Sequence, residues 1–296
     1  MEKTKIKYAL VFAFFLAATA TYVFRLGGES YSLLVSFFTF ASPLVAIVFG
    51  AIAMKHFGLG TTQGKSLVLI LLGVISWLVA DMIWAFIIGG EVDFSVADII
   101  YILGYLSTIA GIFVGLKTID SDFFREKKHI AIVMGSIIFL SAAYLYVFPI
   151  EWDSQENIMQ NLASTFYTLA DMLLLGSVVL IISIALKGTY KYGWVFVAAG
   201  VIVTAIGDMY YALNFVTYEN GDIVDLTWNY GYLFFALSFI AFKHNAEQTL
   251  DNMRRMMMAV PAAVQDIKPP ATIEPAKPER QKTLARKAKT AKIKKR

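Results

Sequence analysis

The chain has 296 residues, of which 58% are hydrophobic and 16% are charged, and its mean hydropathy is +0.63. Soluble domains carry about 25% charged residues, whereas apolar runs of about 18 or more residues are typical of membrane-spanning helices. The chain has no cysteine, which excludes disulfides, thiol nucleophiles, iron–sulfur clusters and thiolate zinc sites. The net charge of +4 is less informative than the distribution of the charges along the chain.

Eight apolar segments follow one another along the sequence. At about 1.5 Å per residue, each is long enough to cross about 30 Å of hydrocarbon as a helix. They predict an all-α, polytopic membrane protein with eight transmembrane helices, the second of which contains Pro43 near its middle. The predicted spans are residues 8–24, 32–54, 66–88, 96–116, 130–148, 162–186, 194–215 and 226–242.

Charges in the connecting segments alternate in sign from one loop to the next. Basic residues lie before the first span and after the second, fourth and sixth: Lys3, Lys5, Lys7, Lys55, Lys65, Lys117, Arg125, Lys127, Lys128, Lys187 and Lys191. The opposite loops contain Arg25 and eight acidic residues: Glu29, Glu91, Asp93, Glu151, Asp153, Glu156, Glu219 and Asp222. Because basic loops stay on the cytoplasmic side, the pattern predicts a multi-pass protein of the cell membrane with both termini in the cytoplasm.

An acidic and aromatic pattern occurs twice, at a constant separation of 127 residues. Asp81-Met82-x-Trp84-Ala85 is repeated as Asp208-Met209-x-Tyr211-Ala212, and Gly73 is repeated as Gly200. Asp98-x-x-Tyr101-x-x-Gly104-Tyr105 is repeated as Asp225-x-x-Trp228-x-x-Gly231-Tyr232. The repeat predicts two parallel four-helix units, 1–128 and 129–242, with the repeated features facing each other near a common axis.

Five aspartates lie within or at the ends of the predicted spans, all in the outer half of the membrane. Asp81, Asp171 and Asp208 are internal, and Asp98 and Asp225 open the fourth and eighth spans. A charge near the bilayer centre costs at least about 2.5–3.5 kcal/mol, so these residues are expected to face the bundle interior or a wet cavity. Helical spacing places aromatic side chains beside them. The candidate binding residues are Asp81, Asp208, Asp98, Asp225, Asp171, Trp84, Tyr211, Tyr105 and Tyr232.

The predicted spans contain no Lys, Arg or His, which narrows the chemistry of this site. A retinal Schiff base needs a lysine inside the bundle, and none is present. Haem or zinc bound by histidine is not expected in the outer half either, because His56, His129 and His244 lie at the cytoplasmic edges. No cofactor is therefore expected, although a bound cation is compatible with the acids. Proton transfer, a hard or organic cation, and acid–base hydrolysis by paired aspartates all fit. A purely structural network, with each aspartate satisfied by Tyr, Thr or backbone groups, is the alternative.

The sequence changes character after residue 242. Residues 243–260 are polar, with Leu250, Met253 and Met257 at helical spacing, and predict a cytoplasmic juxtamembrane helix that offers a surface for a cytosolic partner. Residues 261–296 are rich in Pro, Ala and Lys and predict a disordered basic tail. Such a tail is expected to contact membrane lipids, specifically an anionic lipid surface. Nucleic acid is a weaker expectation, because no aromatic residue is interleaved for base stacking.

The repeated pattern resembles the multi-span sensor regions that precede cytosolic signalling domains in some prokaryotic diguanylate cyclases and histidine kinases. The resemblance covers the third, fourth, seventh and eighth spans, but a short helix and a basic tail take the place of an output domain. Gly207-Asp208 with Ala212-Leu213-Asn214 is also similar to the eight-span YhhN-like lysoplasmalogenase family, from which Ala80-Asp81 departs. This second resemblance implies that Asp81 and Asp208 are catalytic acids.

The sequence thus favours a non-enzymatic sensor- or receptor-like protein that binds a ligand or cation at the aspartates. A proton- or ion-coupled transporter built from parallel repeats is the first alternative. An intramembrane lipid hydrolase of the lysoplasmalogenase type is the second.

Overall fold

The computed structural model describes residues 2–88, 94–117, 127–147, 157–185, 188–214 and 217–265. Within these ranges the secondary structure is helical, without a strand. Several predicted loop charges lie outside the described residues: Glu91, Asp93, Arg125, Glu151, Asp153, Glu156 and Lys187. Most of the predicted basic tail, from residue 266 onward, also lies outside them.

The described residues form eight α-helices, and each predicted span coincides with one of them. They are α1 (Glu2–Val23), α2 (Tyr31–Phe57), α3 (Thr62–Ile83), α4 (Val96–Leu116), α5 (Lys127–Val147), α6 (Ile158–Ala185), α7 (Lys191–Asn214) and α8 (Asp225–Gln265). Several helices extend beyond the apolar runs, because polar residues can continue a helix once it leaves the hydrocarbon. The helix expected at 243–260 is a continuation of α8 rather than a separate element.

Six of these helices are long and apolar enough to cross a membrane: α1, α2, α3, α4, α6 and α7. The chain is therefore a polytopic all-α membrane protein. Helices α5 and α8 are not among the six. For α8 the reason is chemical, since Thr227, Asn229 and Tyr230 place polar groups in its first turns.

Two helices carry local irregularities that bear on the site. Helix α2 passes through Pro43 without a break, and Pro43 is buried. Helix α3 ends at Ile83 and is followed by a π-helical turn over Trp84–Ile88. The backbone N–H of Trp84 is directed at the carbonyls of both Ala80 and Asp81, and the helix widens into the π turn only after Ile83. Such π turns are frequent at functional sites.

Helices α3 and α4 approach each other at glycines. A Cβ atom added to Gly73 would collide with the Thr108 side chain and would lie 2.9 Å from the Gly104 carbonyl oxygen. Helices α7 and α8 meet at the residues 127 positions later, where a Cβ atom on Gly200 would lie 3.1 Å from the Gly231 carbonyl oxygen. Small residues allow membrane helices to pack backbone against backbone, and both pairs use them in this way.

Helix α8 contributes the largest part of the core. Its side chains Phe235, Phe239 and Phe242 are all at most 1% exposed. They and their neighbours contact four other helices. The ring centroids lie 5.0 Å apart for Phe15 of α1 and Tyr230, 6.3 Å for Trp77 of α3 and Phe235, and 5.2 Å for Trp194 of α7 and Phe242. A Cβ atom on Gly50 of α2 would lie 3.0 Å from the Phe239 ring.

The chain divides into two compact units, residues 1–248 and residues 249–296. The first contains the helix bundle and the predicted site. In the second, the helix continues to Gln265, and the side chains of residues 250–258 are exposed, among them Met253, Met256 and Met257.

Candidate functional site

Asp81 lies near the end of α3 and accepts hydrogen bonds from two tyrosines. The hydroxyl of Tyr101, on α4, donates to Asp81 Oδ1. The hydroxyl of Tyr232, on α8, donates to Asp81 Oδ2 over 3.4 Å. A carboxylate can accept about four hydrogen bonds, so both oxygens of Asp81 retain capacity for a further donor.

Asp208 lies on α7 and has a corresponding pair of donors. The indole Nε1 of Trp228, on α8, donates to Asp208 Oδ1 over 2.8 Å. The hydroxyl of Tyr105, on α4, donates to Asp208 Oδ2 over 2.9 Å. The two aspartates are thus bonded by the same two helices, α4 and α8.

The bonds cross between the two halves of the sequence. Each aspartate takes one ring from the helix that follows it, twenty residues later: Tyr101 for Asp81 and Trp228 for Asp208. The second donor to each aspartate comes from the other half of the sequence: Tyr232 donates to Asp81, and Tyr105 donates to Asp208. Because Tyr101 and Trp228, and likewise Tyr105 and Tyr232, are 127 residues apart, repeated positions make equivalent bonds.

Asp171 of α6 joins this network. Its side chain is 2% exposed and lies close to both Asp208 and Tyr105. Asp171 and Asp208, two of the predicted site acids, are therefore neighbours in the bundle.

An indole that sequence reasoning did not select lies between the two crossing tyrosines. Trp77 is 6% exposed, and its ring centroid is 5.4 Å from that of Tyr105 and 6.4 Å from that of Tyr232. Among the described residues, its Nε1 has no hydrogen-bond partner. Trp84, a predicted site residue, is instead 48% exposed in the π-helical turn. The spacing of Trp77 and Asp81, four residues apart on one helix, was the available signal.

Tyr211, another predicted site residue, lies beside Trp228, a donor to Asp208, and beside Tyr218. Its ring centroid lies 5.0 Å from that of Tyr218 and 6.0 Å from that of Trp228. Tyr218 donates from its hydroxyl to Asp225 over 2.8 Å. Burial raises the pKa of Tyr218, and the nearby Asp225 raises it further, so this phenol remains protonated and keeps its donor.

Asp98 and Asp225 open helices α4 and α8, and their oxygens accept hydrogen bonds from neighbouring residues and, for Asp98, from α6. Asp98 Oδ2 accepts the backbone N–H and the hydroxyl of Ser95, each over 2.8 Å, in a capping box. Its Oδ1 accepts the hydroxyl of Tyr167 over 3.0 Å. Asp225 Oδ2 accepts the backbone N–H of Gly221 over 2.8 Å. Both acids therefore hold the starts of the two helices that carry the crossing rings.

The capping geometry predicts a stability effect for Asp98→Ala. The substitution removes the acceptor for Ser95 and Tyr167 and is expected to lower the free energy of unfolding by about 1–2 kcal/mol. Asp98→Asn keeps one acceptor oxygen and is expected to cost less. Thermal unfolding of the purified protein in detergent, followed by circular dichroism, measures both. Identical melting of the wild type and both variants would contradict the capping role.

The site contains three acidic side chains, Asp81, Asp171 and Asp208, beside aromatic rings. The predicted spans contain no Lys, Arg or His that could pair with these acids. In the described part of the chain, no group of three or more His, Asp or Glu side chains is placed to hold a metal ion. Carboxylates beside Trp and Tyr faces fit a proton or an organic cation.

No protein-family model, curated protein or solved structure matches the chain.

Proposed function

We propose that the chain is an eight-span membrane protein built as a tandem 4+4 duplication. The support is that residues 127 positions apart in the sequence make equivalent contacts in the structure. The glycine approaches at Gly73 with Gly104 and at Gly200 with Gly231 are 127 residues apart, as are the donors to the two aspartates. On this proposal α5 and residues 226–242 of α8 are the seventh and eighth membrane segments added to the six apolar ones. Loop charge then places both termini in the cytoplasm of a cell-membrane protein.

Within this topology, the function favoured is that of a sensor- or receptor-like protein. The observation that carries it is the position of α8, which donates to both central aspartates, through Trp228 to Asp208 and through Tyr232 to Asp81. A change in charge or occupancy at either acid alters a bond to α8. The same helix continues to Gln265, and its side chains at residues 250–258 are exposed and available to a partner.

The ligand proposed for the site is a small monovalent cation, of which a proton is the smallest. Asp81, Asp171 and Asp208 bring more negative potential than the neutral donors around them cancel. A cation would reduce the net negative charge in a medium where unpaired charge is costly. Trp77, Tyr105 and Tyr232 offer ring faces suited to a quaternary ammonium group.

The proposal is tested by thermal unfolding of the purified protein in detergent. Melting is followed from mildly acidic to mildly alkaline buffer and in sodium, potassium or choline chloride. Wild-type protein is expected to melt at a temperature that depends on pH or on one of these cations. Asp81→Asn with Asp208→Asn is expected to remain folded and to lose that dependence, because the amides keep the hydrogen bonds and remove the charge.

The matched control removes two acidic charges outside the site. Glu29 and Glu219 are exposed, so Glu29→Gln with Glu219→Gln is expected to melt with the wild-type dependence. A wild-type melting temperature that is constant across pH and all three cations would contradict the proposal. Equal loss of dependence in the control would show a general charge effect and not a site.

The proximity of Asp171 and Asp208, in spans that contain no basic residue, favours a proton-coupled transporter as the second candidate. Buried carboxyl groups inside a bundle of parallel repeats are the kind of group that proton-coupled carriers use. Proteoliposomes with an imposed pH gradient separate the two functions. Uptake or proton flux that is lost in Asp171→Asn would identify a transporter. Release of product from lysolipid in the same vesicles would instead identify a hydrolase, with Asp81 and Asp208 as its acids.

A further inference from the structure

A shallow groove lies between α1, α2 and α8, at the end of the bundle that contains the N-terminus. It is separate from the aspartates, which lie toward the other ends of α3 and α7. Its lining changes character along its length, with apolar side chains below and charged side chains above. This division resembles the boundary between hydrocarbon and headgroups in a bilayer.

The lower part of the groove is formed by two residues from α2 and two from α8. They are Phe49, Ile52, Phe239 and Ile240. Ile52 is 38% exposed, and Phe239 is 1% exposed because Gly50 allows its ring to approach α2. In a membrane-spanning bundle, the open side of such a surface is covered by acyl chains.

The upper part has an excess of basic groups. Lys7 of α1 and Lys243 and Glu247 of α8 line it, together with Thr4 and His244. Lys243 Nζ lies 2.7 Å from Glu247 Oε1. With histidines neutral, two lysines and one glutamate leave one net positive charge.

The pKa of the Glu247 carboxyl group reflects the basic groups around it. Burial alone would raise this pKa. The hydrogen bond from Lys243, together with the positive charges of Lys243 and Lys7, outweighs that effect and lowers the pKa. The rim is therefore electropositive even at its acidic residue.

We propose that this groove binds one anionic phospholipid, with its phosphodiester between Lys7 and Lys243 and an acyl chain along Phe49 and Ile52. One net negative charge on the lipid complements one net positive charge on the rim. Basic pockets between membrane helices at the cytoplasmic face are suited to such headgroups. The site differs from a general attraction of the basic tail to the membrane surface, because it combines charge with an apolar surface on three packed helices.

Native mass spectrometry of the full-length protein tests the proposal. The protein is equilibrated in mild detergent with phosphatidylglycerol or phosphatidylcholine, in enough salt to suppress binding to exposed basic residues. Wild-type protein is expected to retain one phosphatidylglycerol in preference to phosphatidylcholine. Lys7→Gln with Lys243→Gln is expected to weaken this binding by about 25-fold, since each lysine near anionic lipid is worth about fivefold.

Three further variants make the outcome decisive. Lys7→Gln alone leaves the Lys243–Glu247 pair intact and is expected to weaken binding by about fivefold. Glu247→Gln, which removes the opposing charge, is expected to strengthen it. Lys55→Gln with Lys65→Gln removes two exposed lysines outside the groove and is expected to bind as the wild type does. Equal retention of the two lipids by wild type, undiminished binding by Lys7→Gln, or equal loss in the Lys55 and Lys65 control would overturn the proposal.

Discussion

Asp208→Ala is expected to lower the free energy of unfolding by about 3 kcal/mol. The substitution leaves the Trp228 indole N–H, which bonds Asp208 over 2.8 Å, without an acceptor inside the bundle. A buried donor without a partner costs about 1–3 kcal/mol, and the loss of packed side-chain atoms adds to that. Tyr105 is affected less, because its hydroxyl can turn to Asp171.

Asp208→Asn and a double variant separate the hydrogen bond from the loss of side-chain volume. The asparagine oxygen can accept from Trp228, and its amide can donate to the Tyr105 hydroxyl, so Asp208→Asn is expected to cost less than about 1 kcal/mol. Asp208→Ala with Trp228→Phe removes the unpaired donor and is expected to recover part of the stability lost in Asp208→Ala. Thermal and denaturant unfolding in detergent measure all three. Equal melting of Asp208→Ala and Asp208→Asn would show that the Trp228 bond contributes nothing.

Gly73→Ala is expected to destabilise the protein by about 1–3 kcal/mol, whereas Gly200→Ala is expected to cost less than about 1 kcal/mol. The two glycines occupy the same position in the repeated pattern but differ in their surroundings. A Cβ atom on Gly73 collides with Thr108 and lies 2.9 Å from the Gly104 carbonyl oxygen, a backbone atom that moves only if α3 and α4 separate. At Gly200 the nearest atom is the Gly231 carbonyl oxygen, 3.1 Å away, so a much smaller separation of α7 and α8 is needed.

The comparison is made by melting the two single variants beside Gly73→Ala with Thr108→Ala. Removing the Thr108 hydroxyl relieves one of the two collisions, so the double variant is expected to recover part of the lost stability. It is not expected to recover all of it, because the Gly104 carbonyl remains. If Gly200→Ala is as destabilising as Gly73→Ala, the α7–α8 contact is as close as the α3–α4 contact.

The helices could be predicted from sequence because each apolar run is long enough to be unambiguous. The positions of Asp81 and Asp208 could be predicted as well, since an acid in an apolar run is conspicuous. Helical spacing says which face of a helix a residue occupies, but not which neighbouring helix that face meets. The crossing of Tyr105 to Asp208 and of Tyr232 to Asp81 therefore could not be read from the spacing.

Two predicted site residues show where periodicity alone is insufficient. Trp84 follows Asp81 by three residues, a spacing that predicts a shared helix face, but its side chain is 48% exposed at the start of the π-helical turn. Asp98 sits three residues after Ser95, and this spacing is a capping-box signal present in the sequence. Local hydrogen bonding explains its position without a ligand. Whether Asp98 also supports binding stays a prediction.

The crossed bonds have a consequence for how the site can be divided. Residues 1–117 contain Asp81 and Tyr101, but the second donor to Asp81 comes from α8. Residues 127–248 contain Asp208 and Trp228, but the second donor to Asp208 comes from α4. Each fragment therefore contains one of the two aspartates and one of the two tyrosines that donate to the aspartate in the other fragment. Any activity at these acids is therefore expected only when both parts of the chain are present and packed against each other, and not in either fragment alone.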